Sequence, residues 1–137
     1  MSDSTFLFVY GSLRKNGSHN HLLKDATWLC HAYSKGQLFL IDWYPGLILE
    51  AQEGSAQNVI GDVYRDMTPK VFAQLDRYEG DAYDRKIIHV TTISGSTLQV
   101  YAYIYNQDTD RKERIMSADW LEYLKEQKSP HKKSGLK

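Results

Sequence analysis

The sequence predicts a single α+β domain, a small curled sheet or barrel flanked by a few helices. Three observations predict it. Short strand-like runs outnumber helix-like ones between residues 6 and 105. Helical spacing with good termini occurs in few places, most clearly after Thr68. The length of 137 residues, with 42% hydrophobic and 25% charged side chains, suits one ordinary domain whose core needs neither disulfide nor metal.

Phe6 to Tyr10 is an apolar run ending at Gly11, the pattern of a buried strand entering a turn. Asn16-Gly17-Ser18 reads as loop, and His21 to Lys24 as a short helical piece. Gly36 to Ile41 and Leu47 to Glu50 read as strands flanking a Tyr44-Pro45-Gly46 turn. Val59 to Tyr64 is a further strand.

Thr68 is a good N-cap with Pro69 in the first helical position. Val71, Phe72, Leu75 and Tyr78 then recur on one helical face, and Gly80 is placed to end the helix. Tyr83 to Ile93 and Thr97 to Tyr105 form a long hairpin through Ser94-Gly95-Ser96. The second arm carries large groups on both faces, so it is a central strand. Ser117 to Lys125 is a second helix offering Trp120, Leu121 and Leu124 to the core. The domain therefore spans residues 1–127, followed by a Lys-rich, apolar-poor tail over 128–137 that reads as disordered. Its lysines, with Lys125, are the groups that would meet an acidic partner; the simpler reading is a solubilising tail.

Seventeen basic side chains balance seventeen acidic ones. A general nucleic-acid binder needs a basic excess to displace counterions, so that class is not expected. The one cysteine, Cys30, allows no intrachain disulfide. Met1-Ser2-Asp3-Ser4 lacks the basic region of a signal peptide, and no stretch approaches the ~20 apolar residues of a membrane span. The expectation is a cytoplasmic protein, monomeric by default, with no membrane contact.

Two places carry chemistry. In Val9-Tyr10-Gly11-Ser12-Leu13-Arg14, a glycine just past a strand lets backbone approach a ligand, and successive N–H groups can form an anion site. Ser12 adds a hydroxyl and Arg14 is placed to add charge. Alone, these residues read more readily as an ordinary turn. In Leu75-Asp76-Arg77-Tyr78-Glu79-Gly80, Glu79 sits at a helix C-terminus, where the macrodipole disfavours its charge. Partial burial acts in the same direction, and a general base near neutral pH wants such a raised pKa. Asp76, Asp81 and Asp84 compete with it, and a solvated surface glutamate is the plain alternative. Tyr83-Asp84-Arg85 follows with a phenol and a guanidinium. His19, His21 and His31 lack the spacing of common zinc sites, so no metal is expected. Cys30 reads as core filling. No Gly-x-Ser-x-Gly elbow exists for a serine hydrolase.

Taken together, these pieces resemble the γ-glutamylcyclotransferase-like family, in particular its branch of γ-glutamylamine cyclotransferases and AIG2-like proteins. Phe8-Val9-Tyr10-Gly11-Ser12-Leu13 is similar to the family's first strand and turn, and Gly17 to Leu23 to the Gly, Asn and Leu pattern after it. Tyr44-Pro45-Gly46 resembles its aromatic-Pro turn. Leu75 to Gly80 with Tyr83-Asp84-Arg85 resembles the segment of its catalytic glutamate, and Thr97 to Tyr105 its late aromatic strand. The resemblance spans roughly Phe6 to Tyr105, with the segment from Gln107 onward outside it.

The resemblance implies a small mixed β-barrel flanked by helices. It also implies an enzyme that cyclises a γ-glutamyl amine or γ-glutamyl peptide to 5-oxoproline, releasing an amine and using no cofactor. Glu79 would be the general acid/base. Tyr10, Gly11, Ser12 and Leu13 would hold the substrate, with Arg85 and Tyr105 as further site residues. The segments Cys30 to Ser34 and Asp42 to Gly46 are expected to wall the pocket. Asp81-Ala82 stands where the family has a Pro-containing step, so the alternative is a non-catalytic pocket protein for a small γ-glutamyl-like metabolite.

Overall fold

A computed structural model describes residues 5–49 and 56–128. The readings of Met1 to Ser4, of Glu50 as a strand end and of the tail beyond Lys128 fall outside these residues. The elements are β1 (Leu7–Val9), a 3₁₀ turn (Asn20–Leu23), β2 (Thr27–Leu40), β3 (Pro45–Ile48), β4 (Gln57–Arg65), α1 (Pro69–Glu79), β5 (Tyr83–Thr92), β6 (Thr97–Tyr105), β7 (Glu113–Arg114) and α2 (Trp120–Lys128).

Five strands close a barrel in the order β2-β4-β1-β6-β5, and β5 returns to β2 at Ala32 and Tyr33. Closure pairs every barrel strand on both sides and removes the exposed edges. β1 runs parallel to β6 and antiparallel to β4, which makes the barrel mixed. The far half of β2 leaves the barrel and carries β3 and β7 as a small second sheet. The chain is thus an α+β barrel flanked by two helices.

β6 sits between β1 and β5, the interior position its two apolar faces predict. Val100, Ala102 and Ile104 fill the barrel with Phe8, Val63 and Val90. Tyr103 and Tyr105 face the other way, into a second core with Leu7, Val9 and the buried face of α1. That face is Val71, Phe72 and Leu75. Thr68 caps the helix by accepting from Val71 N–H at 3.2 Å. Gly80 ends it at φ 79°, a left-handed conformation that glycine adopts without strain.

Several boundaries differ from the sequence reading. The 3₁₀ turn begins at Asn20, one residue before the helical piece read at His21. β2 begins at Thr27, nine residues before the strand read at Gly36. A bulge between Trp28 and Cys30 breaks the period-two pattern there, and Cys30 is only part-buried. β3 includes Pro45 and Gly46, read as a turn; proline is tolerated as the first residue of a short outer strand. α2 begins at Trp120 rather than Ser117. Ala118 has a left-handed φ of 59°, and Asp119 caps the helix by accepting from Glu122 N–H at 3.2 Å. α2 continues through Lys128, one residue past the expected domain end. The two-residue β7, too short and polar to signal itself, exists through pairing with Phe39 and Leu40.

Candidate active site

β1 delivers the chain to one end of the barrel, where Tyr10-Gly11-Ser12-Leu13 turns back. Gly11 is required by close approach: a Cβ there would lie 2.8 Å from Pro45 Cγ. The turn is closed by Arg14 N–H donating to Gly11 O at 3.0 Å and His19 N–H to Ser12 O at 2.9 Å. Among the described residues, the N–H groups of Gly11, Ser12 and Leu13 donate to nothing. Consecutive backbone donors without partners are what an anion site needs.

These residues line a cavity of about 140 Å³. The remaining walls come from separate elements. The loop before β3 supplies Trp43, Tyr44 and Pro45, α1 ends in Tyr78 and Glu79, and β5 and β6 contribute Tyr83 and Tyr103. Of the four carboxylates weighed after the helix, Glu79 is the one on this wall. Asp76 is committed to Tyr103 Oη at 2.6 Å and Arg85 Nε at 3.2 Å. Asp84 binds Asn106, and Asp81 is exposed. Burial pushes the Glu79 carboxyl from 4.5 up to about 7. Among the described residues it makes no hydrogen bond or ion pair that would hold its charge.

The hydroxyls of Tyr10, Tyr78, Tyr83 and Tyr103 are hydrogen-bonded, and burial keeps these phenols protonated. Tyr10 donates to Tyr103 O at 2.6 Å and accepts from Leu47 N–H at 3.1 Å. Tyr83 donates to Pro45 O at 2.7 Å. Burial raises the pKa of both. Burial likewise raises Tyr78, whose hydroxyl lies 2.8 Å from Ser12 Oγ. Glu79 is therefore a wall residue that changes charge near neutral pH.

The structure places three of the sequence-read residues elsewhere. Arg14 turns away from the cavity and is buried between Asp62 at 3.2 Å and Asp119 at 2.8 Å. Arg85 lies outside the cavity wall, paired with Asp76 and stacked over Phe72. Tyr105 is buried edge-on against Tyr83 and does not line the cavity. Arg85 and Tyr105 are thus one layer behind the residues that do. Of the two segments expected to wall the pocket, Asp42 to Gly46 contributes and Cys30 to Ser34 does not, because β2 spends those residues on barrel pairing. The sequence reading did not single out Tyr103, whose alternation explained it as sheet packing, or Trp43.

The sequence over residues 7–122 matches the family described as γ-glutamyl cyclotransferase, AIG2-like. The chain belongs to this family. The match runs past Gln107 into α2, farther than the resemblance read from motifs, because β7 and α2 complete the same domain. A γ-glutamylcyclotransferase family protein from Escherichia coli K12, YtfP, is 34% identical over 119 residues, covering 85% of this chain and 96% of that protein. The γ-L-glutamyl-butirosin B γ-glutamyl cyclotransferase of Niallia circulans is 34% identical over 127 residues, 85% of this chain and 76% of that protein. The fold is shared with a mouse AIG2-like protein at TM-score 0.73 and 16% identity, covering 95% of this chain and 93% of that one. This γ-glutamylcyclotransferase family member is thus built on the family's barrel, and among the described residues no helix is long and apolar enough to cross a membrane.

Proposed function

We propose that the chain converts a γ-glutamyl amine or γ-glutamyl peptide to 5-oxoproline and a free amine. One observation carries this reading: turn amides and a carboxyl with a pKa of about 7, all unpartnered among the described residues, line one small cavity.

The substrate brings its own nucleophile, the α-amine, and its own electrophile, the γ-carbonyl carbon. The N–H groups of Gly11, Ser12 and Leu13 receive the α-carboxylate, with the Ser12 hydroxyl beside them. Glu79 takes a proton from the α-ammonium. The freed amine attacks the γ-carbon, forming the ring C–N bond. The ring nitrogen of the resulting tetrahedral intermediate still carries two hydrogens. As Glu79 returns the first proton to the leaving nitrogen, the carbonyl re-forms and that C–N bond breaks. The ring nitrogen's extra proton then passes through Glu79 to the released amine, leaving a neutral lactam and an ammonium ion. Because the attack is intramolecular, folding the substrate supplies much of the acceleration, and walls of Tyr10, Tyr83 and Tyr103 enforce that fold. Every proton is accounted for by Glu79 and the substrate.

The test is a panel of γ-glutamyl amides and peptides with 5-oxoproline measured by mass spectrometry. Product formation that disappears in Glu79→Gln supports the reading. No product from any substrate, or full activity in the variant, would overturn it. Stabilisation by a substrate without turnover would leave the protein as a binding pocket.

A further inference from the structure

The cavity has a graded wall. Its inner residues are nearly inaccessible: Tyr10 is 6% exposed, Tyr103 4% and Tyr83 8%. Trp43 on the same wall is 55% exposed. A γ-glutamyl group that reaches Glu79 and the turn therefore leaves the group on its γ-nitrogen beside Trp43.

That outer wall is aromatic and held in place. The Trp43 ring stands 5.0 Å from Tyr44, edge-on. The loop carrying it is closed by Ile41 N–H donating to Tyr44 O at 3.0 Å. The His19 ring, outside the cavity lining, packs against two residues of it, 5.4 Å from Trp43 and 5.2 Å from Tyr78. Tyr78 is fixed through its hydroxyl to Ser12, and His19 through its own N–H to Ser12 O. An indole this exposed at a cavity mouth offers a flat face for a flat partner.

The wall also lacks cations. Among the described residues, no lysine or arginine lines the cavity. Arg14, next to the turn, is already held by Asp62 and Asp119. The turn amides can receive one carboxylate, that of the γ-glutamyl group. A leaving amino acid would bring a second carboxylate to a wall that, among the described residues, has no lysine or arginine to pair it.

We propose that Trp43 and Tyr78, held by His19, form a leaving-group subsite selecting γ-glutamyl amides of aryl-bearing amines that carry no carboxylate of their own. This rests on the cyclising function proposed above and names the substrate class it serves. Trp43 and Tyr78 are the specificity-determining residues, and His19 positions them.

Three amides separate the contributions: γ-glutamyl-phenethylamide, γ-glutamyl-butylamide without the ring, and γ-glutamyl-phenylalanine with the added carboxylate. A γ-glutamyl diaminobutane tests for an ammonium in place of the ring. Each is assayed for 5-oxoproline with the full chain. The phenethylamide should exceed the butylamide in kcat/KM by ~5-fold, the worth of an aromatic contact. It should exceed γ-glutamyl-phenylalanine by ~10-fold or more, the cost of an unpaired carboxylate. Trp43→Ala should bring the phenethylamide and butylamide within about twofold of each other, as loss of the stacking face requires. Turnover with no preference, or with preference for the amino acid or the diamine, would overturn the subsite while leaving the cyclising function intact. A preference unchanged in Trp43→Ala would do the same. No 5-oxoproline from any of the four would overturn both.

Discussion

The Ser12 hydroxyl lies 2.8 Å from the Tyr78 hydroxyl, and this hydrogen bond joins the turn after β1 to the last turn of α1 across 66 residues of sequence. The two halves of the proposed site are therefore coupled directly through two small polar groups. Loss of the Ser12 hydroxyl removes that contact but leaves the backbone N–H donors of the turn in place. Ser12→Ala should cost about 1 kcal/mol of stability, the net worth of one hydrogen bond. On the proposed reaction, its rate of 5-oxoproline formation should fall by roughly tenfold or less, visible mainly in KM. Thermal melts and steady-state kinetics check both.

On the proposed reaction, Glu79→Gln should remove far more activity, because it deletes the proposed proton carrier rather than a donor beside it. A loss of roughly 10²–10⁴-fold in kcat is the usual contribution of a general acid/base. The proposed reaction needs the base form of Glu79, so kcat/KM should rise with pH and level off above a midpoint near the Glu79 value of about 7. A pH–rate profile checks this, and a midpoint near 4 would remove Glu79 from the role.

The same carboxyl shapes stability with pH. Its folded-state pKa is raised from 4.5 to about 7 by burial, so the folded protein holds the proton more tightly than the unfolded chain. This destabilises the fold as pH rises from about 4.5 to about 7, by on the order of 3 kcal/mol in total. Glu79→Gln should flatten that slope. It should melt above the wild type at pH 8 and close to it at pH 4.5.

Asp62 acts in the opposite sense. It is fully buried and receives Lys15 N–H at 2.9 Å, Trp28 Nε1 at 3.1 Å and Arg14 Nε at 3.2 Å. Burial pushes its pKa up, and these donors outweigh burial and hold it below its ordinary 3.8. Its contribution is therefore present above pH 3.8 and is lost as pH falls through its lower folded value. The His31 ring nitrogen Nδ1 also lies 2.7 Å from Asp62 Oδ1, so Asp62→Ala takes the carboxylate from four neighbours and should cost about 3–5 kcal/mol, read by chemical denaturation at pH 7.

Gly11→Ala tests the close approach of Pro45. A Cβ at 2.8 Å from Pro45 Cγ must push the loop carrying Tyr44 and Trp43 outward. The variant should lose about 1–3 kcal/mol of stability, as overpacking does, and show a raised KM. Differential scanning calorimetry and kinetics together check it.

Local chemistry made much of the molecule legible in the sequence. Thr68, Pro69 and Gly80 set the limits of α1 through capping and backbone preference, and these act within a few residues. The alternation over Thr97 to Tyr105 identified β6 and its interior position for the same reason. The start of β2 was hidden because the bulge at Trp28 and Cys30 erased the period that marks a strand. β7 was hidden because its stability comes from Phe39 and Leu40 rather than from its own residues.

The turn at Gly11 and the carboxyl at Glu79 were both readable by type and local position, so the sequence by itself determined which groups were available. The tertiary structure decided which of them meet. Barrel closure brought the end of β1 against the end of α1, so Ser12 reaches Tyr78 and Glu79 shares a cavity with the turn. The same closure turned Arg14 toward Asp62 and set Arg85 and Tyr105 behind the wall. A charge goes where a buried partner offsets its desolvation, and for Arg14 that partner lies 48 residues away in the chain. No local pattern carries that distance.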